Sequence, residues 1–216
     1  GIGYSLAISD LLLAPATSSN TARGGVIVHP VMRAIAGSFD SDPEKGTEGK
    51  IGKYLALVNY HANIICCSMF ITATAPNPLV VDLISKATGA QISISWGMWA
   101  TAMLLPALVA LVLMPIILYY LYPPEIKHTP NATGFAKERL KEMGPMSRGE
   151  WIMLAIFGLL LLLWAGIPAM IFGPAAAVDA TTTAFIGLSL LLPTGVLTRD
   201  DVLKEKSAWD TITWFA

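Results

Sequence analysis

The chain has 216 residues, of which 54% are hydrophobic and only 13% are charged, and its formal net charge at pH 7 is −1. This composition lies outside the range of soluble domains and predicts an integral membrane protein. Because lysine and arginine are scattered over short connections and form no basic face, nucleic-acid binding is excluded as a function. The two cysteines, Cys66 and Cys67, are adjacent and predict neither a disulfide framework nor a metal site.

The opening segment, residues 1–38, places a polar stretch between two apolar arms. The polar stretch is "SSNT" at residues 18–21, and Arg23 follows it. An arm of roughly a dozen helical residues spans about 18 Å, whereas the hydrocarbon core of a bilayer is about 30 Å thick. We therefore predict a re-entrant hairpin whose tip lies near the bilayer midplane, buried in protein or lining an aqueous cavity. The alternative left open is that residues preceding Gly1 complete a full span.

Four apolar runs follow, and each has the roughly 20 residues that a spanning helix needs. They cover residues 54–85, 92–122, 151–172 and 175–197. The connections before the first run, after the second and after the fourth are rich in lysine and arginine, whereas the other two are nearly free of them. This alternation predicts that the three basic connections are cytoplasmic.

The first of these runs is interrupted by "TATAPNPL" at residues 72–79. Pro76 and Pro78 remove two hydrogen-bond donors and free carbonyls near Thr72 and Ala73, which are ready ligands for a cation. Transporters use helices broken near the midplane to hold substrates and coupling ions. A structural explanation, in which hydroxyls bond back to carbonyls and glycines allow close packing, stays open for either break alone. Two polar breaks in consecutive elements favour a binding site.

Both breaks carry the signature of a known family. The sequence "APATSSNTARGG" at residues 14–25 resembles the hairpin of the divalent anion:sodium symporter family, particularly its branch of citrate/succinate antiporters and 2-oxoglutarate/malate translocators. "TATAPNPLV" at residues 72–80 resembles the loop in that family's broken fifth helix. The resemblance implies an all-α polytopic membrane protein, an inverted-repeat secondary transporter in which each repeat has a re-entrant hairpin and a broken helix. It also implies a homodimer in which a transport domain moves past a scaffold.

The resemblance also assigns each part of the chain to an element of that architecture. The parts are the hairpin of the first repeat (1–38), a broken transmembrane helix (39–90), a transmembrane helix (91–122), a cytoplasmic inter-repeat loop (123–150), the first two helices of the second repeat (151–197), and an amphipathic linker with the start of the next helix (198–216). The family's second Ser-Asn-Thr triad is not among these residues, so the chain is expected to carry half of the binding site.

Candidate site residues come from the same resemblance. It implies that the substrate-binding residues are Ser19, Asn20, Thr21, Thr72 and Thr74, and that the cation-binding residues are Ser19, Asn20 and Ala73. Other branches of the family have glycine at the position of Ala73. Some sodium symporters have a serine where this chain has Pro15, so one side-chain ligand for sodium is missing.

The predicted function is secondary transport of di- or tricarboxylate anions such as succinate, malate, 2-oxoglutarate, citrate or tartrate, by anion exchange. Sodium-coupled symport is the alternative, and an anion channel or an integral-membrane enzyme stays open behind it. No catalytic residue is predicted, because no nucleophile is accompanied by a base or a metal set. A sodium ion is the one cofactor left open. The bacterial inner membrane is favoured over the plastid inner envelope as the location.

Arg23 lies in a segment interpreted as otherwise free of charge. Burying its charged guanidinium near the bilayer midplane costs free energy. One interpretation is that it snorkels or pairs with a distant acid outside this chain. The other is that it binds substrate as a permanent positive charge and replaces part of what sodium does in the symporters. An empty carrier would then hold an uncompensated positive charge and would resist moving, which favours exchange. Trp96 and Trp99 are interpreted as interface anchors and packing residues.

Overall fold

The computed structural model describes residues 1–17, 19–128 and 132–215. Ser18 of the predicted hairpin tip, residues 129–131 of the predicted loop and Ala216 of the predicted tail lie outside the described residues. Within the described ranges the regular elements are all helical, which confirms the all-α prediction. The chain divides into two compact units, Gly1–Met143 and Gly144–Ala216.

The α-helices are named here in chain order. The first unit contains α1 (Ile2–Leu13), α2 (His29–Ser38), α3 (Gly52–Met69), α4 (Pro76–Ala87), α5 (Trp96–Leu121) and α6 (Ala132–Met143). The second unit contains α7 (Arg148–Trp164), α8 (Ile167–Phe172), α9 (Ala180–Thr194), α10 (Arg199–Lys204) and α11 (Lys206–Phe215). The predicted inter-repeat loop therefore includes a helix, α6.

The opening segment forms two helical arms. The first arm is α1, and it continues into a 3-10 turn, Ala14–Ala16, before the chain becomes extended at Thr17. The second arm begins after Ser19, runs through a π-helix at Ala22–Val28 and continues as α2. A π-helix has i→i+5 hydrogen bonds and is rare in proteins.

The apolar run 54–85 is divided between α3 and α4. Helix α3 ends because the backbone becomes extended at Phe70, and a short 3-10 turn, Ile71–Ala73, precedes a second extended residue, Thr74. Pro76 and Pro78 lie in the first turn of α4, where a missing N–H costs little. The prolines therefore start a new helix.

The core of the first unit lies where α1, α3 and α5 meet. Its buried side chains are small or apolar: Ala7, Val58, Ala62, Cys66, Leu111 and Met114. Helix α5 is 26 residues long, and among the described residues it is the one helix both long and apolar enough to cross a membrane by length and composition. Large apolar side chains on its outer face, including Leu105, remain exposed.

The second unit has shorter helices than the sequence predicts. The run 151–172 was expected to form one spanning helix, but α7 ends at Trp164 and α8 begins at Ile167. Gly166 lies between them with φ of +74°, a left-handed conformation that suits glycine and stops the helix. The run 175–197 contains only the 15 residues of α9, whose N-cap is Asp179.

Candidate functional site

The two predicted breaks lie side by side. We call residues 14–21 the first break and residues 70–75 the second break. The hydroxyl of Thr72 in the second break donates to the carbonyl of Pro15 in the first, with 2.9 Å between oxygens. This hydrogen bond joins residues 57 positions apart in the sequence. The fold therefore brings together the two segments that the sequence analysis singled out.

Arg23 connects the two breaks through the backbone. Its Nη1 donates to the carbonyl of Thr17 at 3.0 Å and to the carbonyl of Ala73 at 3.1 Å. One carbonyl belongs to the first break and the other to the second. The guanidinium thus occupies the position between the breaks and holds them together.

The charge of Arg23 is paired inside this chain. Its Nε lies 3.0 Å from Oδ1 of Asp10 in α1, and both side chains are fully buried. Asn63 of α3 donates to the same carboxylate oxygen at 3.3 Å. The structure therefore corrects two statements made from the sequence: the segment is not otherwise free of charge, and the partner of Arg23 is Asp10 of this chain, not an acid outside it.

Gly24 allows this pair to approach α3. A Cβ atom on Gly24 would lie 2.8 Å from Nδ2 of Asn63, closer than side-chain atoms normally come. Asn59 of α3 donates to the carbonyl of Gly24 at 3.3 Å. The second arm, α1 and α3 therefore meet around the Asp10–Arg23 ion pair.

The predicted triad lies at the start of the second arm. Ser19 accepts at Oγ from the backbone N–H of Ala22 at 3.2 Å, which is the arrangement of a helix N-cap. Asn20 accepts at Oδ1 from the hydroxyl of Thr74 at 3.4 Å. Accepting at Oδ1 leaves both hydrogens on the amide nitrogen of Asn20 for another partner. Thr21 is exposed.

The predicted site residues thus fall into two groups. Asn20 and Thr74 contact each other, and Ser19 and Thr21 flank Asn20 in the chain. Thr72, Ala73 and Arg23 are instead engaged in bonds between the two breaks. Their contacts with substrate or cation remain predictions.

Sequence reasoning missed Asp10, Asn63 and Trp96. Asp10 stands 13 residues before Arg23, in the opposite arm, and only the packing of the two arms shows that their side chains meet. Asn63 donates to Asp10, and the indole nitrogen of Trp96 donates to Oγ1 of Thr72 at 3.2 Å. Both contacts depend on tertiary packing, which no local pattern in the sequence indicates.

The sequence of this chain is similar to those of known membrane proteins. A model of the sodium:sulfate symporter transmembrane region matches residues 1–216. YflS of Bacillus subtilis (strain 168), named as a candidate malate transporter, is 49% identical over 216 residues, which are 100% of this chain and 44% of that protein. Dicarboxylate transporter 1, chloroplastic, of Spinacia oleracea is 45% identical over 216 residues, 100% of this chain and 37% of that one. Inner membrane protein YbhI of Escherichia coli (strain K12) is 40% identical over 215 residues, which are 100% of this chain and 43% of that protein.

The apolar helices and the paired breaks, together with these matches, define the class as an integral membrane protein of a transporter family, not an enzyme. The chain belongs to the family of the sodium:sulfate symporter transmembrane region, which confirms the divalent anion:sodium symporter resemblance. The chain spans between 37% and 44% of the length of these three relatives.

Proposed function

We propose that the two breaks form one half of the substrate site of a secondary carrier for di- or tricarboxylate anions. The observation that carries the proposal is the contact between Asn20 and Thr74, because it joins the triad of the first break to the second. Two relatives that the chain covers in part are named for malate and dicarboxylate transport, and this supports the substrate class.

The groups around Asn20 suit a carboxylate. The amide nitrogen of Asn20 and the hydroxyl of Ser19 can donate to its oxygens. The first backbone N–H groups of the second arm add the partial positive charge of a helix N-terminus. The hydrogen bond from Thr74 occupies Oδ1 of Asn20, so the amide nitrogen is the group of Asn20 left for the carboxylate.

We further propose that Arg23 takes the place of a coupling cation. In broken-helix transporters, backbone carbonyls of unwound segments coordinate the ion. Here the carbonyls of Thr17 and Ala73 contact the positively charged guanidinium of Arg23. The cation predicted at Ala73 is then the side chain of Arg23, and transport does not need a sodium gradient. Pro15, which stands where some symporters have a serine ligand, supports the same proposal.

Anion exchange is the proposed mode of transport, with its argument revised. From the sequence, exchange followed from an uncompensated positive charge that would hinder movement of the empty carrier. Asp10 compensates that charge, so this argument no longer applies. Exchange now rests on sodium independence and the missing serine ligand, and sodium-coupled symport is the alternative. We also propose that the protein is a homodimer in the bacterial inner membrane and that its three basic connections face the cytoplasm.

Vesicle transport tests the proposal. The full-length protein is reconstituted, and uptake of labelled succinate, malate and 2-oxoglutarate is measured with and without unlabelled dicarboxylate inside and with and without an inward sodium gradient. Uptake should depend strongly on internal dicarboxylate and weakly on sodium. Robust sodium-driven uptake into empty vesicles would establish symport, and non-saturating flux without counter-transport would establish a channel.

A further inference from the structure

We propose that Trp96, in the first turn of α5, is a positioning residue for the substrate site and acts through Thr72. The inference rests on the proposed function and concerns the same site. The indole nitrogen of Trp96 donates to Oγ1 of Thr72 at 3.2 Å. The hydroxyl of Thr72 in turn donates to the carbonyl of Pro15 at 2.9 Å. One hydroxyl therefore connects α5, the second break and the first break in a single chain of hydrogen bonds.

The bonding capacity of a hydroxyl gives this chain its direction. A threonine hydroxyl has one proton to donate, and an indole N–H can only donate. Because Trp96 can only donate to Thr72 and the carbonyl of Pro15 can only accept, the hydroxyl proton is directed toward Pro15, and successive hydrogen bonds of this kind strengthen each other. Thr72 has no proton left for a substrate carboxylate. Its place in the site is that of a link between the breaks.

Packing holds the Trp96 ring in this orientation. The ring stacks on Phe70, the first residue of the second break, with centroids 5.7 Å apart and planes 17° from parallel. The adjacent residue to Thr72 is Ala73, whose carbonyl accepts from Arg23. Displacing Thr72 would therefore displace a carbonyl that holds the guanidinium, although Trp96 itself touches neither Arg23 nor Asn20 through a described hydrogen bond.

Trp99 supplies a matched control one turn further along α5. Its indole nitrogen donates at 2.9 Å to the carbonyl of Ser68, which belongs to the last turn of α3 and not to the Thr72 chain. Both tryptophans are half-buried and both satisfy a group close to the second break. The two tryptophans differ in their acceptors: the hydroxyl that accepts from Trp96 also donates to Pro15, whereas the carbonyl that accepts from Trp99 belongs to Ser68 in α3.

The test compares Trp96→Phe, Thr72→Val, their double variant, Thr72→Ser and Trp99→Phe in the full-length protein. Phenylalanine keeps the stacking on Phe70 and removes the N–H. We expect Trp96→Phe and Thr72→Val each to raise KM for dicarboxylate about tenfold, equivalent to about 1.4 kcal/mol, with the maximal exchange rate within about twofold. The double variant should be no worse than the poorer single variant, because both changes break one chain. Thr72→Ser, which retains the hydroxyl, should recover most of the affinity lost in Thr72→Val, and Trp99→Phe should keep the wild-type KM.

A second readout does not depend on transport. Hydrogen exchange of the backbone amides in residues 71–74 should become about tenfold faster in Trp96→Phe and Thr72→Val, and should stay unchanged in Trp99→Phe. If the wild-type protein exchanged no dicarboxylate, the proposed function would fail while hydrogen exchange still tested the link. A wild-type KM in Trp96→Phe, multiplied effects in the double variant, or a Trp96→Phe protein that does not fold would each overturn the positioning role.

Discussion

The two units each contain a helix break inside an apolar run, and the two breaks are closed in different ways. Between α7 and α8, the backbone N–H groups of Ala165 and Gly166 donate to the carbonyls of Leu161 and Leu163, so the interruption is closed locally. Between α3 and α4, Asn77 of α4 donates to the carbonyls of Cys67 and Phe70 at the end of α3, and a side chain distant in sequence also contacts the segment between the helices. Arg23 donates to the carbonyl of Ala73, 50 residues away in sequence.

This difference shows which breaks can build a site. A break that satisfies its own backbone groups changes the direction of a helix and leaves no group available to another element. A break whose carbonyls depend on a side chain from elsewhere fixes two segments relative to each other. The second break depends on Arg23, so it can hold ligand groups of the first break in place. Helix interruption alone, as at Gly166, does not predict a binding site.

The largest effect is expected for the buried ion pair. Arg23→Gln leaves the Asp10 carboxylate buried without its cation, and removing one partner of a buried pair typically costs about 3 to 5 kcal/mol. Arg33→Gln, at an exposed position of the same arm, should stay within about 0.5 kcal/mol. Unfolding of the purified full-length variants in detergent measures both. Equal stability of the two variants would contradict the role given to the pair.

A smaller effect is expected at the glycine pair. A Cβ on Gly24 would lie 2.8 Å from Nδ2 of Asn63, whereas a Cβ on Gly25 would meet nothing within 4 Å. Gly24→Ala should therefore destabilise the protein by about 1 to 3 kcal/mol, because it separates the second arm from α3. Gly25→Ala should be neutral or slightly stabilising. If both variants unfold at the same temperature, the close approach at Gly24 does not contribute as described.

The smallest effect separates two serine caps. Ser19 caps the second arm, and Ser147 caps α7 by accepting from the backbone N–H of Glu150. Alanine at either position should cost about 1 kcal/mol of stability. Only Ser19→Ala should also weaken dicarboxylate binding, because Ser147 belongs to the unit whose break is closed locally. Weaker binding in Ser147→Ala, measured by titration calorimetry, would remove the distinction between the two units.

Several features of this arrangement could be predicted from the sequence. Composition indicated helices in a membrane, and the motifs at residues 14–25 and 72–80 identified the family, which the family match confirms. These features are local in sequence. The interruption at Gly166 was missed, although Pro168 two residues later was a signal for it.

What could not be predicted depends on tertiary contacts. Asp10 reaches Arg23 because two arms fold back, and Asn63 joins the pair because α3 packs against both. Trp96 was interpreted as an interface anchor and packing residue, because it lies near the end of an apolar run, where membrane proteins often have tryptophan. Its contact with Thr72 depends on how α5 packs against the second break.

The most direct test of the central claim compares Asn20 of the first break with Asn77 in the first turn of α4, just after the second break. Asn20 accepts at Oδ1 from the hydroxyl of Thr74, which leaves its amide nitrogen for substrate, whereas Asn77 donates to the carbonyls of Cys67 and Phe70 and closes the end of α3. Dicarboxylate binding and thermal unfolding are measured on purified full-length Asn20→Ala and Asn77→Ala. Asn20→Ala should lose about ten- to hundredfold in affinity, or roughly 1 to 3 kcal/mol, and keep its stability. Asn77→Ala should lose stability and keep its affinity within about threefold. A folded Asn20→Ala protein with normal affinity would contradict the assignment of the two breaks to one carboxylate site.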